Sequence, residues 1–267
     1  MVVSPNFEEL VAEYRNTLEH NDYLWRKMTD ATWADPTLTE HRRHIEQHKL
    51  GFGDAAFHAM WLRLLDAAGR RFGNVRALEI GVFKGQVISL WSLISRQLDI
   101  PVAISAITPL AGNPRPKFGL WQKVRFRVDR KFREFVTTGN YYSHNEDYEA
   151  TIRDLFERFQ LSFEAALIHK GLSTDEAILA TLEKATFHIV YIDGDHTYEG
   201  SSVDVRNFAP KVVQGGWLVM DDASYDLPGT AFWKGYESVG RACELLPGLG
   251  FKNILNVGHN RIYEKCC

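Results

Sequence analysis

The sequence predicts an α/β protein built on a doubly wound, mostly parallel sheet of seven strands. From Val75 onward, short apolar runs bounded by glycine and acidic residues alternate with amphipathic, helix-like segments. Such alternation is typical of parallel strands covered by helices on both faces. A glycine-rich turn follows the first of these runs, and the residues before 54 show only helix-like periodicity. The chain is therefore expected to have a helical N-terminal extension ahead of the sheet.

The N-terminal extension, residues 1–53, is predicted to be helical and to act as a lid. Ser4 followed by Pro5 is typical of a helix start. The apolar residues of this helix are expected on one face; they are Phe7, Leu10, Val11, Tyr14 and Leu18. A polar break at Asp35 precedes a second helix near residues 39–48. A further helix is expected to begin with Asp54 as its N-cap and to end at Gly69.

Residues 54–267 are interpreted as one domain. Seven apolar runs predict its strands, at residues 77–82, 102–107, 165–169, 188–192, 217–220, 251–257 and 261–264. The last two runs predict a closing C-terminal hairpin that turns at Gly258. Helices are predicted at residues 87–97, 174–183 and 201–213. Residues 109–148 interrupt the alternation and are interpreted as an insertion, in which the periodicity fits either a strand or a helix.

Composition excludes several classes of protein. The 31 Lys and Arg nearly balance 34 Asp and Glu, for a formal charge of −3, which argues against nucleic acid as a partner. No apolar run approaches the ~20 residues of a membrane span, so no membrane partner is expected. The odd number of cysteines and the lack of a secretory signal at the first residues predict a reducing, cytoplasmic location.

A basic segment departs from this balance. Residues 115–133 hold eight basic residues and one acid, a charge of +7, which leaves −10 for the rest of the chain. This segment could attract an acidic acceptor. It could equally be a solvated insertion, which is the favoured interpretation, or a contact in a homo-oligomer.

The glycine turn has the pattern Glu79-x-Gly81-x-x-x-Gly85, directly after a buried strand and before a helix. Glycines let the backbone approach a ligand closely, and a helix N-terminus offers free N–H groups to an anion. A tight strand-to-helix connection without a ligand is the alternative. A dinucleotide site requires a different glycine spacing and an acid at the end of the second strand. Because Thr108 stands there, NAD is disfavoured.

These residues resemble class I S-adenosylmethionine (SAM) dependent methyltransferases. The resemblance extends to residues 191–199 (YIDGDHTYE) and 215–222 (GGWLVMDD), which are similar to the metal-dependent O-methyltransferase branch that includes macrocin-type sugar and catechol O-methyltransferases. It implies a Rossmann-like fold, SAM, and Mg²⁺ or another hard divalent cation. It also implies a set of SAM-binding residues, namely Glu79, Gly81, Val82, Phe83, Gly85, Gln86, Val87, Thr108, Gly171, Ser173 and Asp193.

Three members of this set carry specific expectations. Thr108 occupies the place where the family has an acid for the SAM ribose. Gly171 and Ser173 are expected beside the adenine, although Ser173 could instead be a plain helix cap.

Three carboxylates are expected to gather at one edge of the sheet. Asp193 ends one predicted strand, and Asp221 and Asp222 end another. The ends of neighbouring parallel strands lie about 4.8 Å apart, so these carboxylates can converge on one ion. A set of oxygens without Cys or His favours Mg²⁺, Mn²⁺ or Ca²⁺ over zinc. The alternative is that the acids only cap the following helices.

His196 is the predicted general base, because an imidazole can take a proton from a hydroxyl near neutral pH. Asp195 is the competing base, and a histidine that merely bonds a loop carbonyl is the structural alternative. His259 is a less favoured member of the site. Three further histidines, at positions 41, 44 and 48, could share a helix face as metal ligands, but a solvated face is the favoured interpretation.

The resulting prediction is a SAM- and divalent-metal-dependent O-methyltransferase in natural product biosynthesis. Its acceptor would be a small molecule with a hydroxyl beside another oxygen, such as a sugar or a polyhydroxylated natural product. A metal-independent O- or N-methyltransferase and a non-catalytic SAM-binding protein are the alternatives.

Overall fold

A computed structural model describes residues 5–111, 119–138 and 146–266, and these residues contain a seven-stranded sheet. The strands are β1 (Val75–Ile80), β2 (Val102–Thr108), β3 (Ala166–Lys170), β4 (Phe187–Ile192), β5 (Val212–Met220), β6 (Phe251–Val257) and β7 (Asn260–Lys265). Their order across the sheet is β3-β2-β1-β4-β5-β7-β6. The first five are parallel, and β7 is antiparallel to both β5 and β6. The predicted doubly wound sheet with a closing hairpin is confirmed.

The described helices fall into three groups. The N-terminal group is α1 (Phe7–Glu13), α2 (Leu18–Ala34) and α3 (Pro36–His48). Helices α6 (Leu120–Val128) and α7 (Arg130–Thr138) lie in the insertion. The helices that cover the sheet are α4 (Ala56–Phe72), α5 (Gln86–Leu98), α8 (Tyr148–Arg158), α9 (Glu176–Thr181), α10 (Tyr198–Phe208) and α11 (Glu237–Ala242).

The first two helices begin differently from the prediction. Asn6 caps α1 and forms a reciprocal capping box with Glu9, whereas Ser4 lies outside the described residues. The expected single apolar face is wrong, because Tyr14 is extended and ends α1. Its hydroxyl donates to Asn21 Oδ1 at 2.9 Å, and Leu18 already belongs to α2. Helix α3 starts at the polar break that the sequence predicted.

The N-cap of helix α4 lies one residue later than expected, and the glycine that ends the helix lies four residues later. Its N-cap is Ala55, although Asp54 Oδ1 still accepts from the N–H of Ala56 at 3.0 Å. Gly69 lies inside the helix, where a Cβ would come within 2.3 Å of the Ile100 side chain. Close packing explains that glycine. The left-handed residue that ends the helix is Gly73, with a φ of 72°.

The N-terminal helices belong to one face of the sheet. Phe7 packs edge-on against Trp217 of β5, with ring centroids 5.5 Å apart. On the same side, Trp61 of α4 meets Trp91 of α5 at 4.9 Å and Tyr191 of β4 at 5.2 Å. These buried aromatic residues, each worth well over 1 kcal/mol of transfer free energy, fix α4 and α5 over the centre of the sheet.

The described part of the insertion forms two helices, over residues 120–128 and 130–138, which resolves the ambiguous periodicity of that part. Residues 112–118 and 139–145, with Pro114, Pro116, Tyr141 and Tyr142, lie outside the described residues. Among the helices that the structure describes, none combines the length and the apolar character that a membrane span requires.

Candidate active site

The glycine turn lies at the C-terminal edge of the sheet, between β1 and α5. Gly81 has a φ of 101°, and a Cβ built there would lie 1.9 Å from the carbonyl oxygen of Asp193. Gly85 has a φ of 85°, and its Cβ would meet Ile152 at 2.9 Å. Both positions therefore require glycine for backbone conformation and for space. The turn brings β1 directly against the end of β4.

Thr108 stabilises this turn from the end of β2. Its buried hydroxyl donates to the carbonyl oxygen of Val82 at 2.8 Å and accepts from the N–H of Leu110 at 3.1 Å. The side chain that occupies the expected ribose position is thus committed to the protein's own backbone. Thr108 therefore stabilises the turn instead of offering a free hydroxyl to a ligand.

Two cavities open on either side of the turn. The smaller, about 40 Å³, is lined by Glu79, Gln86, Val87 and Asp193 and is covered by residues 50–53 of the N-terminal extension. The larger, about 230 Å³, is lined by Val82, Thr108, Gly171 and Ser173. Gly81 and Phe83 line both. All predicted cofactor residues except Gly85 therefore face one of these two cavities.

Glu79 places a buried carboxyl group in the smaller cavity. Burial raises its pKa well above the usual value, and the nearby Asp193 and Asp221 raise it further. Its Oε2 makes no hydrogen bond to any described residue. A buried carboxyl in this position suits a cationic group, such as the ammonium of an amino acid.

Asp193, His196 and Asp222 come together beside the turn. His196 Nε2 lies 3.3 Å from Asp222 Oδ2 and 3.5 Å from Asp193 Oδ1. On the other side of Asp222, His259 Nε2 lies 3.2 Å from Asp221 Oδ1. The structure therefore forms two overlapping groups of potential ligand atoms, Asp193–His196–Asp222 and Asp221–Asp222–His259, each within 4.8 Å.

The electrostatics of this acidic cluster favour a positive ligand. Burial raises the pKa of Asp193 well above its usual value, and Asp221 and Asp222 add to the effect. Burial and Asp221 likewise raise the pKa of Asp222 to about 7. Burial alone would also raise the pKa of Asp221, but His259, His196 and the Tyr191 hydroxyl together hold that pKa below its usual value. The carboxylates near His196 are the less compensated ones, and a hard divalent cation suits them.

His259 lies in the predicted hairpin turn, between β6 and β7, but close to the acids, although the sequence gave it little weight as a member of the site. It is buried, and although burial opposes this, Asp221 and Asp222 raise its pKa to about 10. The β6–β7 turn reaches the acids because β7 pairs with β5, and the N–H of Ala223 donates to the His259 carbonyl at 2.9 Å. Two imidazoles, of His196 and His259, thus lie among the three carboxylates that the sequence predicts as an all-oxygen ligand set.

His196 and Asp195 face different parts of the site. The His196 ring stacks on Tyr236, with centroids 4.8 Å apart and planes at 25°, and Ser238 Oγ donates to the His196 carbonyl at 2.6 Å. Asp195 Oδ1 instead accepts from the N–H of Thr197 at 2.8 Å, and Asp195 lines the larger cavity. Of the two candidate bases, His196 is the one beside the acidic cluster.

Asp204 is a buried residue of the site that the sequence did not indicate. It lies on α10, and burial raises its pKa to about 7, while a hydrogen bond from Ser173 opposes that shift. The N-cap of α9 is Asp175, so the interpretation of Ser173 as that helix's cap is wrong. Asp204 fits the pattern of an ordinary amphipathic helix, and the sequence therefore carried no signal for it.

A buried chain of polar groups connects the N-terminal extension to the glycine turn. His41 Nδ1 is 2.9 Å from His58 Nε2, and His41 Nε2 is 3.0 Å from Ser89 Oγ. Ser89 Oγ in turn donates to the carbonyl oxygen of Gly85 at 2.7 Å. Because Ser89 uses its proton on Gly85, it accepts from His41, which fixes the tautomers of both histidines. The expected solvated face is wrong for His41; His44 is half-buried and His48 exposed.

The sheet is doubly wound with an antiparallel closing hairpin, a glycine turn after β1 and acids at the ends of β4 and β5. This arrangement is consistent with the class I SAM-dependent methyltransferases, which the resemblance in sequence implied. The sequence model of a family described as a methyltransferase domain matches residues 78–223, and the chain belongs to that family. The chain is thus an enzyme of the SAM-dependent methyltransferase class. The search of curated proteins gave no match.

Solved methyltransferases share the fold at low sequence identity. The O-methyltransferase NovP is 16% identical, with a TM-score of 0.56 and 79% of each chain covered. An O-methyltransferase from Bacillus cereus, solved with SAH, is 12% identical, with a TM-score of 0.53 over 93% of this chain and 99% of that one. The calicheamicin methyltransferase CalS11 is 16% identical, with a TM-score of 0.51 and 98% of each chain covered.

Proposed function

We propose that this chain transfers the methyl group of SAM to a hydroxyl oxygen of a small molecule and that it uses a hard divalent cation to do so. The observation that carries the proposal is the convergence of His196 on Asp193 and Asp222, at 3.5 and 3.3 Å, beside the glycine turn. A proton acceptor and a cation-binding pair would thereby share one edge of the sheet. The O-methyltransferases that share the fold support the choice of oxygen as the acceptor atom.

The two cavities would divide SAM between them. Glu79 and Asp193, both in the smaller cavity, would bind the ammonium of the amino-acid portion. The turn from Gly81 to Val87 would approach that portion through its backbone. Gly171 and Ser173 would lie beside the adenine in the larger cavity, while Thr108 holds the wall between them.

Asp193, Asp221 and Asp222 would hold the cation, with His259 orienting Asp221. When bound, such a cation lowers the pKa of an acceptor hydroxyl and fixes two neighbouring oxygens. His196 would then accept the hydroxyl proton, because its Nε2 faces the same space and its ring is held by Tyr236. Asp195 is the less suitable base, because its Oδ1 already accepts a hydrogen bond from the N–H of Thr197.

An acidic or sugar-linked acceptor is supported by a third cavity, of about 250 Å³, beyond Tyr236. Three guanidinium groups line it, from Arg130, Arg133 and Arg241, against the carboxylates of Glu134 and Glu237. Tyr236 and Ser238 also line this cavity, and both contact His196, so an anionic group bound there would be one residue away from the proposed base. The name of CalS11 supports a natural product as the acceptor class.

The cation is tested by Mn²⁺ titration, followed by electron paramagnetic resonance, in wild type and in Asp222→Asn. Asparagine tolerates the left-handed backbone of residue 222, whose φ is 51°, so the variant changes charge more than conformation. We expect wild type to bind Mn²⁺ and the variant to bind it at least roughly tenfold more weakly, a loss of about 1.4 kcal/mol. Asp226→Asn, an exposed acid of the same loop, is the matched control and should bind like wild type.

The base is tested by His196→Gln with SAM binding measured by calorimetry. We expect SAM affinity to stay within about threefold while turnover falls roughly hundredfold or more. Turnover is measured by mass spectrometry on alcohols presented with and without a phosphate group. Full activity in EDTA would favour the metal-independent alternative, and SAM binding without transfer to any acceptor would favour the non-catalytic one.

A further inference from the structure

Helix α6 turns four apolar side chains to the solvent. Leu120, Val124 and Val128 follow one another at intervals of four, and Trp121 lies beside them, so the four form one stripe, here called the α6 stripe. Their exposed fractions are 81% for Leu120, 83% for Trp121, 48% for Val124 and 77% for Val128. No residue of this helix is buried. A helix of a globular domain normally turns such a stripe toward the core.

The stripe faces outward because the neighbouring helix α7 makes the contacts to the rest of the protein. Lys131 Nζ lies 2.6 Å from Glu199 Oε1 on α10, and Arg130 lies 3.9 Å from Glu237 on α11. Helix α6 is joined to α7 through Arg133, which donates to the carbonyl oxygens of residues 126 and 127 at 3.1 and 3.0 Å. The α6 stripe is thus the outermost surface of the pair of helices α6 and α7.

Basic residues flank the stripe on both sides. At 3.6 residues per turn, Lys123 and Arg127 lie along one border and Arg125 along the other. Residues 120–138 hold six basic and two acidic residues, a net charge of +4. An exposed apolar stripe that contains Trp and has cationic borders is complementary to an anionic bilayer surface, where apolar side chains enter the headgroup region and each nearby cation contributes about 1 kcal/mol.

We propose that α6 docks the enzyme on the surface of a membrane that contains anionic phospholipid. The α6 stripe inserts at the level of the headgroups, while Lys123, Arg125 and Arg127 contact the phosphates. This peripheral attachment requires no spanning helix, and it departs from the sequence-based expectation of no membrane partner. It does not depend on the methyl-transfer chemistry.

The test is sedimentation of the full chain with lipid vesicles. We expect binding to vesicles of mixed phosphatidylcholine and phosphatidylglycerol, at least roughly tenfold weaker binding to pure phosphatidylcholine, and weakening by salt. The triple variant L120S/W121S/V128S and the double variant K123E/R127E should each lose roughly tenfold or more in affinity. Trp33→Ser is the matched control, because Trp33 is an exposed aromatic of α2, far from the insertion in sequence, and it should bind like wild type.

Circular dichroism of each variant reports whether the fold is retained, so a loss of vesicle binding is separable from unfolding. Neither measurement requires SAM. Wild type that stays in the supernatant with anionic vesicles would overturn the proposal. So would a folded stripe variant that sediments like wild type. Sedimentation equilibrium tests the other possible occupant of the α6 stripe, a second copy of the chain. If wild type does not bind lipid but forms a dimer, and the stripe variants are monomeric, the α6 stripe is a dimer contact.

Discussion

Gly81 and Gly73 show how differently two left-handed glycines are constrained. Their φ angles are 101° and 72°, so a side chain at either position costs about 1–2 kcal/mol in backbone strain. A Cβ at Gly81 would also strike the Asp193 carbonyl at 1.9 Å, whereas nothing lies within 4 Å of one at Gly73. Only the first glycine is needed for a close approach.

Alanine substitution at these two positions should therefore give different results. We expect Gly81→Ala to lower the free energy of unfolding by at least about 2 kcal/mol more than Gly73→Ala, since β1 and β4 must separate to admit the methyl group. Urea denaturation measures both values, and calorimetry should show SAM binding lost in Gly81→Ala alone. Equal effects of the two substitutions would mean that strain, and not crowding, governs the turn.

The sequence could predict those site residues that belong to a local pattern, but not those that reach the site through tertiary contacts. Glu79, Gly81 and Asp193 stand at fixed places relative to strand ends, so local pattern was enough to find them. His259 reaches the acids only through the pairing of β7 with β5, which no local pattern encodes. His41 was misassigned because its partners, His58 and Ser89, lie on other helices.

At the scale of elements, α2 anchors the loop that follows β5. Asp22 Oδ1 accepts from the N–H groups of Thr230 and Ala231 at 2.8 and 3.0 Å, and its Oδ2 accepts from Thr230 Oγ1 at 2.8 Å. Farther along, this loop carries Trp233 and Tyr236, which pack on His259 and His196. The N-terminal extension thereby holds one wall of the candidate active site.

Replacing Asp22 by Ala should release this loop, because two backbone N–H groups lose a charged acceptor. We expect a loss of about 2 kcal/mol in stability and faster hydrogen exchange at residues 230–231. Thr230→Ala removes only the hydroxyl bond and should have a smaller effect on both. Unchanged exchange in Asp22→Ala would show that the loop is held by its other contacts.

The strands were easier to predict than the helices of the insertion, for a physical reason. Buried parallel strands are continuous apolar runs, and β4 is buried at every position. In α6, Val124, Phe126 and Val128 alternate as in a strand although the segment is a helix. Val124 and Val128 are exposed and Phe126 is only half-buried, so no core imposes a helical period on these residues. Gly69 was wrongly predicted to end α4. It lies inside that helix, where the lack of a side chain leaves room for Ile100.

For the whole molecule, the buried histidines predict a loss of stability in acid. Burial lowers the pKa of His41 to about 3 and that of His58 well below its usual value. In the unfolded chain the histidine pKa values are about 6.5. At pH values below about 6.5 and above the lowered pKa values of the folded protein, the unfolded chain therefore binds more protons than the folded chain. Stability should therefore be complete above about pH 6.5 and fall by about 1.4 kcal/mol per pH unit for each histidine below it.

Urea denaturation of wild type and His58→Gln at pH 7.5 and about pH 5 isolates this effect. Buried carboxyls with raised pKa, such as Glu79, act in the opposite direction, but they are common to both proteins and cancel in the difference. The variant should lose about 1.4 kcal/mol per pH unit less than wild type. Parallel pH profiles would mean that His58 is accessible to protons in the folded protein.

The position of β7 inside the sheet also constrains how the protein can be made. Since β7 lies between β5 and β6, the two outer strands of this edge cannot be ordered as they are until the residues as far as Lys265 have left the ribosome. His259 arrives with the same late stretch. A nascent chain that has emerged only as far as Met220 already contains the glycine turn and Asp193, yet it displays the unpaired edge of β5. The pairing of β7 with β5 therefore brings His259 to the acidic cluster and covers the edge of β5 at the same stage of biosynthesis.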